Sequence, residues 1–160
     1  MPDTEITQQD LLTTYRGVIY PWHCDHIGHM NVMWYTGKFD EATWNLLSMA
    51  GITSAYMKDQ QRGMAAVQNV TTYKKEVFAG DTISIYSRVL EVRERVMRFE
   101  HRMFVNNGDL AATTELTAVH LDLNTRKATP FAAGVREELD KLTEATDGSD
   151  HDRRLEENLA

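Results

Sequence analysis

The sequence contains a single cysteine, Cys24, so no disulfide bond can form within the chain. A chain without disulfides fits a reducing compartment. It also lacks any apolar run near the roughly 20 residues that a membrane-spanning helix needs. Residues 1–10 are polar and acidic, whereas a signal peptide has a basic start and an apolar middle. We therefore expect a cytoplasmic protein without a membrane partner.

Positive charge is scarce as well. Lys and Arg number 17 against 24 Asp and Glu, which gives a formal net charge of -7 at pH 7. Nucleic-acid binding needs a basic surface, so we expect no nucleic-acid partner. A length of 160 residues is that of one ordinary domain. We divide the chain into a flexible N-terminus (1–10), a folded domain (11–142) and a flexible charged tail (143–160).

The spacing of apolar residues predicts one long helix over about 32–49. Its apolar stripe follows intervals of four and three residues and consists of Tyr35, Phe39, Ala42, Leu46 and Met49. The other side of the helix is polar and includes Lys38, Glu41, Asn45 and Ser48. Because Trp34, Trp44 and Leu47 widen the apolar surface, we expect this helix to be covered on most of its circumference. Gly51 is placed to end it.

The rest of the chain is β-like. Runs of β-branched and aromatic residues predict strands over 11–22, 65–78, 82–92, 96–105 and 110–123. A slip in the alternation near 87–90 predicts a bulge or a stretch that is buried on both faces. We expect a connector with one short helical turn at 51–63 and a terminal helix at 131–142. Since consecutive strands usually neighbour each other, the last four strands should form hairpins or a meander, and the fold class is α+β.

Chemically capable side chains are concentrated just before the predicted helix, in the stretch His23-Cys24-Asp25-His26-Ile27-Gly28-His29-Met30-Asn31. Backbone amides at a helix start can stabilise developing negative charge. An ionised Asp25 beside such amides could act as a base or nucleophile on a carbonyl group. A loop carboxylate can equally cap the turn or helix that follows it. Spacing alone leaves both interpretations open.

The same stretch contains residue types that zinc prefers, and His26 and His29 can share a face if they are helical. A second ligand cluster is missing, because His101 and His120 stand alone in predicted strands. We therefore expect no metal and no other cofactor. A Cys24 nucleophile would need a neighbouring histidine as its base, but adjacent residues in an extended strand point to opposite faces.

The pattern Asp25-x-x-Gly28-His29-x-Asn31-x-x-x-Tyr35 resembles the signature of hot-dog-fold acyl-CoA thioesterases, and especially of the 4-hydroxybenzoyl-CoA thioesterase-like enzymes. A second match joins Tyr73 to the run Val77-Phe78-Ala79-Gly80-Asp81, which is similar to the family's second strand and its turn. With the order of elements, the resemblance covers roughly residues 14–125. It implies an antiparallel sheet of about five strands wrapped around one long central helix.

The resemblance also implies a function. Hot-dog thioesterases hydrolyse an acyl-CoA to a free acid and coenzyme A, as homodimers that often pair into homotetramers, with active sites at the subunit interface. Asp25 matches the catalytic carboxylate, and the backbone amide of Val32 matches the oxyanion donor. Some relatives carry a His or Tyr at the position of Val32, which this sequence lacks. The expected substrate-binding residues are His29, Asn31, Tyr35 and Tyr73.

Two other functions stay open. The protein could bind acyl-thioesters without hydrolysing them, or it could be a hot-dog dehydratase or hydratase with a carboxylate–histidine pair on the helix. Glu41 is a candidate second carboxylate. Candidates for contacts to the phosphates of coenzyme A are Lys74, Lys75, Arg93, Arg95, Arg98 and Arg102. The aromatic residues Trp22, Trp34, Tyr35 and Tyr73 leave three alternatives: a site for an aryl group, a site for a cationic acyl group, or rings that only fill space.

Overall fold

The computed structural model describes residues 8–106 and 108–147. In these ranges the chain forms the elements β1 (Leu12–Val18), α1 (Val32–Met49), α2 (Ser54–Gln60), β2 (Arg62–Tyr73), β3 (Thr82–Val92), β4 (Val96–Val105), β5 (Asp109–Asp122), β6 (Lys127–Ala128) and α3 (Ala133–Ala145). Short 3₁₀ turns occupy Gln8–Asp10 and Pro21–His23. Most of the two predicted flexible ends, 1–7 and 148–160, lies outside the described residues.

The strands of the described chain form one antiparallel sheet in the order β1-β3-β4-β5-β2, with β6 paired to the end of β5. Strands β3, β4 and β5 form the expected meander. The expectation that β2 also belongs to it, beside β3, is wrong, because β2 pairs with β5 at the far edge. The free edge of β3 is already occupied by β1, so the edge left for β2 is that of β5.

Helix α1 packs on the sheet through four of the five residues of the predicted stripe, because Tyr35, Phe39, Ala42 and Leu46 are buried. The fifth, Met49, was predicted on this face and is instead exposed at the end of the helix. The expectation that the helix is covered on most of its circumference is wrong. Met33 is 63% exposed and Trp44 and Met49 are each 42% exposed, because the sheet covers one side of the helix and leaves its outer side open.

Lys38 was predicted on the polar side of the helix, and it is instead buried. Its ammonium group donates to the Tyr15 hydroxyl at 2.8 Å and to the Glu41 carboxylate at 3.1 Å. A buried charge needs such partners to offset its lost hydration. The Lys38–Tyr15 hydrogen bond therefore connects the helix to β1, and Glu41 stays exposed.

A buried chain of polar side chains also crosses from the helix to the sheet. The Thr43 hydroxyl lies 2.9 Å from Nε2 of His101, Nδ1 of His101 lies 2.5 Å from the Ser87 hydroxyl, and Ser87 lies 2.6 Å from Thr14. Burial lowers the pKa of His101 to about 3, so this histidine is neutral at pH 7. It has the surroundings of a structural core residue.

Two strands end earlier than predicted. β1 ends at Val18 and not at 22, because Pro21 opens a 3₁₀ turn and cannot donate to a strand neighbour. β2 covers Arg62–Tyr73 where 65–78 was predicted, because its start pairs with the end of β5 and the strand pairing stops after Tyr73. The predicted bulge is confirmed by a register shift between Val89 and Glu91.

Two of the helices, α2 and α3, are longer than expected. The single turn predicted within 51–63 is the seven-residue helix α2, which the Thr53 side chain caps through the amide of Tyr56. Helix α3 extends to Ala145 and not 142, and the Thr143 hydroxyl donates to the carbonyl of Leu139 within it. Gly51 ends α1 as predicted, with a φ of 80°. None of the helices within the described ranges has the length and hydropathy to span a membrane.

Candidate active site

Residues 23–31 form a closed loop that leads into α1. The amide of Asp25 donates to the carbonyl of His29 at 3.1 Å, and the amide of Gly28 donates to the carbonyl of Asp25 at 3.0 Å. Gly28 has a φ of 99°, a conformation that glycine adopts without the strain of a side chain. The sequence thus places a glycine where the loop reverses, and Asp25 lies where the two sides of the loop are joined.

The carboxylate of Asp25 accepts two hydrogen bonds. Its Oδ2 accepts from Nδ2 of Asn31 at 2.8 Å, and its Oδ1 accepts from the amide of Ile27 at 2.8 Å. The Asn31 bond, followed by the Ile27 bond, lowers the pKa of Asp25. The Ile27 bond is the turn cap that was one interpretation of this residue. Because an ionised carboxylate offers about four lone-pair sites, two bonds leave it able to accept a proton.

Asn31 connects this carboxylate to the start of the helix. Its Oδ1 accepts from the amide of Met33 at 3.0 Å, which makes Asn31 the N-cap of α1, while its Nδ2 holds Asp25. The amide of Val32 belongs to the first helical residue, for which the helix itself provides no acceptor. Among the hydrogen bonds of the described residues, none uses the Val32 N–H. This donor is available to a ligand.

A cavity of about 330 Å³ opens beside the first turn of α1. It is lined by His29, Met30, Val32, Tyr35, Tyr73, Lys74, Lys75 and Glu76. The structure therefore brings together four of the six predicted site residues. The other two, Asp25 and Asn31, do not line the cavity and connect to it through the helix start.

The wall of the cavity opposite the helix is a rigid piece of backbone. The amides of Lys74 and Lys75 both donate to the carbonyl of Ala111, at 2.8 and 3.1 Å. The amide of Met30 donates to the carbonyl of Val77 at 2.7 Å, and both of these residues are buried. The segment 74–77 is thus held between β5 and the loop that carries Asp25.

Tyr35 also joins the helix to this wall. Its hydroxyl donates to the carbonyl of Lys75 at 3.2 Å, and its ring meets the ring of Tyr73 edge to face at a centroid distance of 5.1 Å. Burial raises the pKa of Tyr35 to about 12, so the phenol keeps its proton and remains a donor. The two tyrosines give the cavity an aromatic side.

Glu76 is a cavity residue that the sequence did not reveal. Its carboxylate lies 3.8 Å from Nε2 of His29, and its side chain is largely exposed. The predicted strand over 65–78 would have placed Glu76 on one face of the sheet. Because β2 ends at Tyr73, Glu76 instead faces the helix start. A Lys-Lys-Glu run directly after a strand was the available signal.

The nucleophilic interpretation of Cys24 finds no support in the geometry. Nδ1 of His23 accepts a hydrogen bond from the amide of Tyr20 at 2.9 Å, so this nitrogen is not free to activate a thiol. Burial is the main cause of a lowered pKa at His23. Cys24 itself packs against the hydrophobic core. Within residues 8–106 and 108–147, no three His, Cys, Asp or Glu side chains are placed to hold a metal ion.

Trp22 and Trp34, predicted as part of an aromatic site, do not line the cavity. They flank His23, with ring centroids 5.6 and 4.5 Å from its ring, and Trp22 stacks on Tyr20 at 4.4 Å. The predicted aromatic set therefore divides into two groups. Tyr35 and Tyr73 face the cavity, and the tryptophans form a separate cluster.

Known proteins resemble this chain in sequence and in fold. Residues 19–139 match the Thioesterase-like superfamily. A betainyl-CoA thioesterase of Pseudomonas aeruginosa is 23% identical over 136 residues, which cover 84% of this chain and 86% of the relative. A hypothetical protein of Staphylococcus aureus, solved in complex with CoA, aligns with a TM-score of 0.80 at 15% identity, over 84% of this chain and 86% of that one. A DHNA-CoA thioesterase from the same species aligns with a TM-score of 0.76 at 18% identity, over 83% and 91% of the two chains.

An antiparallel sheet packed on one long helix, with a cavity at the helix start, defines a hot-dog protein, and the solved structures share this fold. The chain belongs to the Thioesterase-like superfamily, and it is a thioester hydrolase. The fold and the family predicted from the sequence motifs are confirmed.

The double role of Asn31 leads to a first prediction. Replacing it (Asn31→Ala) removes the helix cap, which costs on the order of 1 kcal/mol of unfolding free energy. It also removes the main cause of the lowered pKa of Asp25, so this pKa should rise towards its ordinary value of 3.8. Thermal unfolding and a carboxyl-carbon NMR titration measure the two effects.

The exposed Asn124 provides the control, because Asn124→Ala should leave the pKa of Asp25 unchanged. A carboxylate with a lowered pKa stabilises the fold above its ordinary pKa and loses that contribution as the pH falls. Asn31→Ala should therefore weaken the acid-side pH dependence of stability. An unaltered Asp25 titration in Asn31→Ala would show that the two side chains are not coupled.

Proposed function

We propose that this protein hydrolyses an acyl-CoA to a free acid and coenzyme A. In this proposal Asp25 is the general base or nucleophile, and the backbone amide of Val32 is the oxyanion donor. The observation that carries the proposal is the unused N–H of Val32, a residue that lines the cavity, next to a loop carboxylate that Asn31 ties to the same helix start.

The chemistry needs little beyond these groups. When water attacks the thioester carbon, the carbonyl oxygen becomes an oxyanion, and one well-placed donor typically contributes about 10²–10³ in rate. The Val32 amide can supply this donor, and the dipole of α1 strengthens it. The ionised Asp25 takes a proton from the attacking water as the new C–O bond forms. The C–S bond then breaks, and the thiolate leaves and is protonated.

The sheet supports a homodimer. Strand β2 is an edge strand of twelve residues, paired with β5 on one side. Val67 and Val70 are exposed on it, and a long free edge with exposed apolar side chains is a site for pairing with another chain. β2 also leads directly into the cavity wall at Tyr73. We propose that two copies pair along β2, which places the second copy beside the cavity and completes the surroundings of Asp25.

The alternative hydratase chemistry has less support. It calls for a carboxylate–histidine pair on the helix, but no histidine occurs in Val32–Met49. The helix carboxylate Glu41 forms an ion pair with Lys38 and does not line the cavity. Acyl-thioester binding without hydrolysis, the other alternative, does not agree with membership of a thioesterase family.

For the acyl group, we propose one that carries a fixed positive charge. The rings of Tyr35 and Tyr73 can attract a cation through their faces, and the Glu76 carboxylate lies on the same cavity. The similar protein of Pseudomonas aeruginosa is a betainyl-CoA thioesterase, which supports this choice. An aryl group is the competing choice, which the similarity to a DHNA-CoA thioesterase favours.

The central experiment replaces Asp25 with asparagine, which keeps the shape and removes the charge. Asp25→Asn should lower kcat/KM for a good acyl-CoA about 10²–10⁴-fold, as expected for a lost general base. Thiol release measures the rate, and circular dichroism verifies the fold. Asp59→Asn, an exposed site on α2, is the matched control and should keep wild-type activity. A near wild-type rate in Asp25→Asn would reduce Asp25 to a turn cap.

The acyl proposal is tested with a pair of isosteric substrates. Betainyl-CoA should be hydrolysed about 5- to 30-fold more efficiently than its uncharged isostere 3,3-dimethylbutyryl-CoA, because cation–π contacts contribute roughly 1–2 kcal/mol. Tyr73→Leu should reduce this preference, while Tyr20→Leu in the separate aromatic cluster should not. Equal rates on the two substrates, or a preference for an aryl-CoA such as benzoyl-CoA, would contradict the proposal.

The dimer is tested by placing a charge on the free edge. Val70→Lys should convert a dimer into a monomer, because a lysine on an edge strand opposes pairing. Light scattering coupled to size exclusion gives the mass. Thr125→Lys, in the exposed turn before β6, should stay dimeric. A monomeric wild-type protein, or a Val70→Lys variant of unchanged mass, would show that β2 is not the interface.

A further inference from the structure

The nucleotide end of coenzyme A creates an electrostatic problem for this protein. Its phosphates are anionic at neutral pH, and the chain has a net charge of -7. Long-range attraction therefore cannot favour the substrate, and a local cation is needed. We propose that Lys74 is this cation and binds a phosphate group of coenzyme A. The assignment rests on the proposed acyl-CoA substrate.

Ion pairing separates Lys74 from the other basic residues that the sequence suggested. Five of the six candidates have a carboxylate partner, in the pairs Lys75–Asp109, Arg93–Glu91, Arg95–Glu94, Arg98–Glu115 and Arg102–Glu100. Within the part of the chain that the structure describes, Lys74 takes part in no ion pair. An incoming phosphate therefore meets an uncompensated charge at Lys74 and largely neutralised charges at the other five.

Position separates Lys74 from the remaining unpaired cations. In residues 8–106 and 108–147 these are Arg16, Lys58, Arg126 and Lys127. None of the four lines the cavity beside the helix start, whereas Lys74 lines it together with Val32. A thioester whose carbonyl oxygen reaches the Val32 amide thus has the unpaired Lys74 in the lining of the same cavity.

The backbone holds Lys74 in this place. Its amide donates to the carbonyl of Ala111 at 2.8 Å, directly after the last residue of β2, Tyr73. The side chain is exposed, so it can extend along the cavity mouth to a group that remains in solvent. This arrangement suits the nucleotide end of coenzyme A, which stays outside while the acyl group enters.

The test compares substrates that differ in their phosphates. Lys74→Ala should raise KM for an acyl-CoA about 3- to 30-fold and leave kcat unchanged, as expected for one partly exposed charge-assisted contact. KM for the matching acyl-N-acetylcysteamine thioester, which has no nucleotide, should not change. Lys74→Arg should restore most of the affinity, and Lys58→Ala on α2 is the matched control with unchanged KM. If the Lys74→Ala defect persists on 3′-dephospho-acyl-CoA, the contact is to the diphosphate, and if it disappears, the contact is to the 3′-phosphate.

Two results would overturn the assignment. One is an equal loss on the acyl-CoA and the N-acetylcysteamine thioester, which would mean that Lys74 shapes the cavity without contacting a phosphate. The other is an unchanged KM for the acyl-CoA in Lys74→Ala. A wild-type protein that hydrolyses neither thioester would instead refute the proposed function, so the two failures are distinguishable.

Discussion

The rest of the site depends on two hydrogen bonds of the Asn31 side chain. Its Oδ1 accepts from the amide of Met33, and its Nδ2 donates to the carboxylate of Asp25. The first bond caps the helix that begins at Val32, whose N–H has no acceptor within the helix. The second bond holds an ionised carboxylate beside that helix start. The proposed base and the proposed oxyanion donor thus share one anchoring residue, so their relative position is set locally.

The second constraint is the backbone at 74–77. It is fixed by β5 through the Ala111 carbonyl and by the loop that carries Asp25 through the pair of Met30 and Val77. The cavity is therefore a gap between this segment and the start of α1. Asp25 does not line the cavity of a single chain. The proposed dimer contact along the free edge of β2 is therefore relevant to the site. A partner on that edge would close the region between the wall and the carboxylate.

The long helix and its stripe could be predicted because they depend on local spacing, and the loop residues could be recognised by their motif. The position of β2 could not, since it depends on which strand already occupies the edge of β3. Glu76 and the burial of Lys38 escaped for a related reason. Both follow from where a strand ends or which element covers a helix, and these are tertiary facts that spacing in one sequence does not encode. The unpaired state of Lys74 likewise became visible only with the ion pairs of its neighbours.

The most direct measurement of the central claim is a crystal structure of the Asp25→Asn variant with an acyl-CoA analogue whose sulfur is replaced by a methylene group. Such a ketone keeps the carbonyl and cannot be hydrolysed. If Val32 is the oxyanion donor, the ketone oxygen lies within about 3 Å of the Val32 amide nitrogen, a hydrogen-bond distance. Residue 25 should also face the carbonyl carbon, from the same chain or across the dimer. A carbonyl bound away from the start of α1, with the Val32 amide still unused, would contradict this assignment.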